Sequence, residues 1–133
     1  MLLVDTNVLI DVLEDDPRWA DWSIRQLRAQ SQVHALTINS VIYTELSSAF
    51  TSLESLDTVV KQLQLGWLEL SRPVLFLAGK AFAGYRRLGG KRERILGDFY
   101  VGAHAQVAGL TLLTRDTTRY RTYFPKVKLI APA

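Results

Sequence analysis

Cysteine is absent from this chain of 133 residues. That excludes disulfides and thiolate-held metals, so any bound metal has to be held by oxygen or imidazole. No apolar run approaches the roughly 18 residues that a membrane helix needs. Asp5 and Asp11 interrupt the one N-terminal stretch that could act as a secretion signal. The expectation is a cytoplasmic protein with no membrane contact. No repeat, low-complexity tract or Pro/Gly/Ser-rich linker divides the sequence, so one domain over residues 1–133 is expected.

What is present is ordinary in amount and uneven in place. The apolar fraction of 48% suits a globular core and argues against disorder. The net charge is only +3, yet residues 1–78 hold ten acids against five bases, and residues 79–133 hold eleven bases against three acids. A basic half around a few acids suits a polyanion held by Lys and Arg and processed at a metal. The plainer reading is a solvated surface of uneven charge.

Apolar periodicity and punctuation predict alternating strands and helices. Residues 2–4 read as a strand and 7–14 as a short helix. Asp16-Pro17 reads as a cap and first helical position, opening a helix with Trp19, Trp22 and Leu27 that stops before Val33. A strand over 34–38 precedes Asn39, which caps a helix to about residue 50. Another helix spans about 53–65 and ends at Gly66, and 67–70 is strand-like. Pro73 begins a long helix ended by Gly89-Gly90, and a basic loop follows over 91–94. Asp98 opens a helix closed by Gly109, 110–114 is a strand, 120–124 a turn and 127–130 a last strand. This alternation predicts an α/β fold, a sandwich with a mostly parallel central sheet.

Four acids fall where such a sheet builds chemistry. Asp5 and Asp116 end strands, and parallel strands bring those ends to one edge, where ligands bind in open α/β sheets. Glu45 has apolar helical neighbours at Val41, Ile42, Ala49 and Phe50, so it faces inward. Asp98 shares its helix side with Val101, Gly102 and Ala105. Inward carboxylates repel and raise one another's pKa values, a conflict that a divalent cation removes. Oxygen ligands suit Mg²⁺ or Mn²⁺, and such a cation supports phosphodiester hydrolysis. Thr6, Asn7 and Thr114 are placed to orient water or the carboxylates. Singly, each acid has a structural reading: Asp5 and Asp98 as helix caps, Asp116 in an Asx-turn, Glu45 paired with an arginine. Together they favour a metal site.

These strings resemble a known family. Asp5-Thr6-Asn7-Val8-Leu9-Ile10, inward Glu45, Gly97-Asp98-Phe99 with Ala103-His104-Ala105, and the run from Gly109 through Thr114-Arg115-Asp116 look like the PIN domain. The likeness is strongest to the VapC-type toxins of bacterial and archaeal toxin–antitoxin pairs, and it covers essentially the whole chain. It implies a PIN-like three-layer α/β/α sandwich and an Mg²⁺- or Mn²⁺-dependent endoribonuclease. It gives Asp5, Glu45, Asp98 and Asp116 catalytic and metal-holding roles, with Thr6 and Thr114 in support. It further implies a homodimer and a cognate antitoxin that blocks the active site. Two departures stand out: Thr117-Thr118 where some members carry a further acid, and Gly97 where proline often precedes the third acid.

Other residues divide between function and structure. Lys91, Arg92, Arg94 and Arg115 could guide RNA phosphates, or could be ordinary surface cations. His104 lies six residues after Asp98, away from that side of its helix, and reads as a packing residue. His34 shows no partner, and neither histidine is expected to be catalytic. The aromatic residues Trp19, Trp22, Tyr43, Phe50 and Trp67 read as core or interface. Two rival functions are a phosphoryl-accepting receiver or haloacid-type phosphatase, and a non-catalytic module of the same fold that binds RNA or protein. The phosphatase needs an aspartate two residues after its nucleophile, and Asn7 stands there.

Overall fold

A computed structural model describes residues 1–92 and 95–133. The described elements run β1 (Leu2–Val4), α1 (Thr6–Leu13), α2 (Ala20–Ser31), β2 (Leu36–Ile38), α3 (Ser40–Ser47), α4 (Leu53–Gln62), β3 (Gly66–Trp67), α5 (Arg72–Arg87), α6 (Leu96–Ala108), β4 (Thr111–Leu113), α7 (Thr118–Tyr123) and β5 (Leu129–Ile130). The five strands form one sheet in the order β3-β2-β1-β4-β5, and every pairing is parallel. With helices on its faces, this is an α/β/α sandwich. Among the described residues no helix is long and apolar enough to cross a membrane.

The central strand explains the first apolar run. Leu2, Leu3 and Val4 are all fully buried, as a parallel strand covered on both faces requires. β1 pairs with β2 on one side and β4 on the other. From β1 the chain steps outward through β2 to β3, then crosses back to β4 and on to β5. The direction of winding therefore changes between β1 and β4, and a crevice opens at their carboxyl ends. Asp5 follows β1, and Thr114 to Asp116 follow β4.

Several expected boundaries move for local reasons. Asp5 itself caps α1, its Oδ1 accepting the Thr6 N–H at 2.8 Å, so the helix starts one residue early. Asp16 accepts the N–H groups of Arg18 and Trp19, each at 2.9 Å, making a turn, and α2 begins only at Ala20. Left-handed Gln64 (φ 54°) follows α4 and carries the turn assigned to Gly66, which instead pairs in β3. α6 starts at Leu96, so Asp98 lies inside its first turn rather than at its cap. Residues 118–123 form α7, where a turn over 120–124 was expected. Gly109 ends α6 as expected, at φ 66°, where a side chain would be strained.

α5, α6 and α7 meet in an aromatic cluster of Phe82, Tyr85, Phe99, Tyr123 and Phe124. Gly102 admits it: a Cβ there would lie 2.3 Å from the Phe124 ring. This packing fixes α7 against α6 and brings two α7 side chains, Arg119 and Tyr120, to the crevice.

Candidate metal centre

Asp5 is the buried anchor of the crevice. Its Oδ2 accepts from the Tyr120 hydroxyl at 2.6 Å and from Thr114 Oγ1 at 2.9 Å, with Asn7 Nδ2 more distant at 3.5 Å. Burial pushes its carboxyl up to about 6; the hydrogen bonds from Tyr120 and Thr114 oppose the rise, and the nearby Glu45 charge adds to it. The Tyr120 phenol is pushed well above its ordinary value, by burial first and by Asp5 and Asp98 next. It therefore keeps its proton and donates steadily to Asp5.

Polar residues after β1 and β4 tie the two loops together. Thr114 Oγ1, while donating to Asp5, accepts from Asn7 Nδ2 and from the Asp116 N–H, both at 3.2 Å. Asn7 Oδ1 accepts the Arg115 N–H at 3.3 Å. Thr6 donates to Glu45 Oε1 at 2.6 Å, linking α1 to α3. Thr6, Asn7 and Thr114 thus each hold a carboxylate or its loop.

Asp98 faces the same crevice from α6. Its carboxyl is pushed up to about 7, by burial first, then by the charges of Asp5 and Glu45; Arg119 draws it down and Asp116 adds to the rise. The four carboxylates named from the sequence therefore share one electrostatic neighbourhood. Gly97 serves this closeness: a Cβ there would lie 2.5 Å from Glu45 Oε2, so glycine lets the Glu45 carboxylate rest against the start of α6. Asp116 is exposed, and its Oδ1 accepts the Thr118 N–H at 3.3 Å in an Asx-turn. Among the described residues no three acidic or histidine side chains converge as a ready-made ligand cluster. The centre is rich in carboxylates, but they stand apart.

The basic candidates are distributed differently. Arg115 Nε pairs with Asp11 Oδ2 at 2.7 Å, Ser23 donates to the same oxygen at 3.0 Å, and the guanidinium lies 5.6 Å from the Trp19 ring centroid. Asp11 is 1% exposed, so Arg115 braces α1 against the β4 loop. Lys91 and Arg92 are exposed, and the Arg92 N–H donates to the Tyr85 hydroxyl at 3.1 Å. Arg94 lies outside the described residues.

Two residues escaped sequence reasoning. Tyr120 begins the stretch expected to be a turn and Arg119 directly precedes it, and only the helical form of α7 aims them at residues more than a hundred and about twenty positions away. Arg119 Nε stands 3.9 Å from Asp98 Oδ2, and its guanidinium lies 5.6 Å from the Tyr85 ring centroid. His104 is buried, and its Nδ1 accepts from Asn39 Nδ2 at 2.9 Å. The Asn39 amide is oriented by its Oδ1, which accepts the Ile42 N–H. Burial lowers the His104 pKa, so a neutral ring carries its proton on Nε2 and acts as a packed brace between β2 and α6.

The family model described as PIN domain matches residues 2–125. The chain belongs to the PIN domain family. Solved structures with the same fold include VapBC2 from Rickettsia felis bound to a DNA fragment from their promoter, at TM-score 0.74 and 18% identity, covering 99% of this chain and 98% of that one. DNA-bound VapBC from Salmonella typhimurium aligns at TM-score 0.72 and 21% identity, covering 98% and 96%. A toxin–antitoxin complex from Klebsiella pneumoniae aligns at TM-score 0.64 and 22% identity, covering 100% and 98%. No curated protein matches the sequence significantly. The PIN domain here thus carries its acids at the β1/β4 crevice, with Gly97 and Tyr120 shaping their surroundings.

Proposed function

We propose that this PIN domain is an Mg²⁺- or Mn²⁺-dependent endoribonuclease and the toxin of a toxin–antitoxin pair. The observation that carries the reading is the electrostatic coupling of Asp98 with Asp5, Glu45 and Asp116 at the winding reversal of a parallel sheet. Four carboxylates gathered without four compensating cations are unfavourable by themselves and favour a divalent cation.

The donor atoms are of the kind that such an ion prefers, although they do not converge among the described residues. Asp5, Glu45, Asp98 and Asp116 would hold it, all through oxygen, as Mg²⁺ and Mn²⁺ prefer. When bound, the ion supplies Lewis acidity towards water and a phosphodiester. The chain's own residues supply preorganisation. Tyr120, Thr114 and the Thr6 N–H fix both oxygens of Asp5. Thr6 fixes Glu45, and Gly97 leaves room for it. Exposed Lys91 and Arg92 stand beyond α5 as candidate phosphate guides, with Arg94 in the same stretch of sequence.

The fold neighbours are named as VapBC and toxin–antitoxin complexes. By that likeness the proposal extends to a cognate antitoxin covering the crevice, a homodimer, one domain over the whole chain and a cytoplasmic location. A second reading is a non-catalytic module binding RNA or protein. It is favoured by one observation, the lack of a converged three-ligand cluster among the described residues.

Incubating purified protein, freed of any antitoxin, with a mixed RNA pool in Mg²⁺ or Mn²⁺ and then in EDTA separates the readings. The nuclease reading expects cutting that EDTA abolishes and that Asp98→Asn lacks. Uncut RNA under all conditions favours the module.

A further inference from the structure

Arg119 is held in a way that an ion pair with Asp98 does not explain. At 3.9 Å from Asp98 Oδ2 its Nε is too far for a hydrogen bond. That Nε is buried and makes no hydrogen bond among the described residues. A buried donor without an acceptor is unfavourable and calls for a partner that the described residues do not supply. Meanwhile the guanidinium is held in place. It lies 5.6 Å from the Tyr85 ring centroid, and Tyr85 packs against Phe99 and Tyr123 at 5.5 and 6.1 Å. The side chain keeps 23% of its surface exposed, so it reaches solvent from the crevice.

The surroundings continue the same chemistry. Tyr123, in contact with Tyr85, borders an open groove of about 500 Å³ in which Lys80 and Arg87 stand beside the apolar Leu77, Ala81 and Leu88. Two cations and an aromatic face suit the backbone and a base of a single strand. Arg119 and Tyr123 both lie against Tyr85, and Arg119 also approaches Asp98. A planar guanidinium with free donors is the side chain best matched to a phosphate.

We infer that Arg119 is a substrate-phosphate ligand of the carboxylate centre, held ready by Tyr85 and receiving a single-stranded RNA that enters along the Lys80–Arg87–Tyr123 groove. The inference rests on the ribonuclease reading and adds a binding residue and a strand path to it.

The test is fluorescence anisotropy of an uncleavable 2′-O-methyl oligonucleotide across a salt series, in EDTA, with thermal unfolding measured in parallel. The proteins are wild type, Arg119→Gln and Arg119→Lys. Arg119→Gln is expected to weaken binding about tenfold or more. Its slope of log Kd against log salt should fall by about 0.7, one phosphate contact on a single strand. Arg119→Lys, which keeps the charge, should keep most of that slope, and it serves as the deciding variant if the glutamine protein fails to fold. Unchanged affinity and slope in a folded Arg119→Gln, or loss of the slope in a folded Arg119→Lys, overturns the role. Wild type that neither binds the oligonucleotide nor cuts RNA overturns the ribonuclease reading as well.

Discussion

Asp98→Asn should make the protein more stable while disabling it. The Asp98 carboxyl rises from 3.8 to about 7 in the folded chain. Taken alone, that disfavours the ionised folded state by about 4 kcal/mol. The side chain is 35% exposed, and solvent screening reduces the effect by roughly half, to about 2 kcal/mol. Because the folded pKa is raised, wild type loses stability as pH climbs from about 4 through about 7 and levels off near pH 8. Asparagine has no such titration. The variant should therefore match wild type near pH 4 and exceed it at pH 8, in metal-free buffer, by about 8 °C in Tm for a chain of this size. Thermal unfolding across pH 4–8 in EDTA measures both curves. A variant equal to or below wild type at pH 8, or a difference that does not change with pH, refutes the electrostatic origin.

Three further outcomes follow from neighbouring contacts. Tyr120→Phe removes a 2.6 Å hydrogen bond to Asp5 and should reduce stability by about 2 kcal/mol. Since that bond favours the ionised carboxylate, the loss should be larger at pH 8 than at pH 4, as paired unfolding curves would show. Arg115→Met leaves buried Asp11 with Ser23 alone and should lower stability by about 3 kcal/mol in denaturant titration. A neutral result would mean that the Asp11 pair is not the brace it resembles. Gly97→Ala places a Cβ against the Glu45 carboxylate. Because the end of that side chain can swing away, Tm should change little while cleavage falls by about tenfold or more. Full activity in Gly97→Ala would dissociate Glu45's position from function.

The sequence made the frame legible because the frame is local. Leu2-Leu3-Val4 is short, apolar and fully buried, and Asp5 after it falls at the sheet edge for the reason that pattern implies. Gly109 closes α6 because only a left-handed residue ends the helix there. What the sequence hides is partnership across distance. Residues 118–123 carry no apolar period strong enough to announce a helix, yet packing of Phe124 on Gly102 draws them into one and delivers Tyr120 to Asp5. Arg115 beside Asp116 invites a phosphate role, but its Nε is taken by Asp11 from a helix 104 positions away. Gly97, a departure from the usual proline, becomes intelligible only when Glu45 is seen against it. Asp16-Pro17 reads in sequence as a helix start, but Asp16 instead accepts from Arg18 and Trp19 in a turn, and α2 begins only at Ala20.

If the coupled carboxylates form a cation site, the metal-free protein must take up a divalent ion there. Calorimetric titration of metal-free protein with Mn²⁺ at pH 7, in two buffers of different ionisation enthalpy, tests it most directly. Because the Asp98 carboxyl is pushed up in the metal-free protein, binding should release protons, and Asp98→Asn should lose both the proton release and most of the affinity. No heat at millimolar Mn²⁺, or identical heats in wild type and Asp98→Asn, would contradict it.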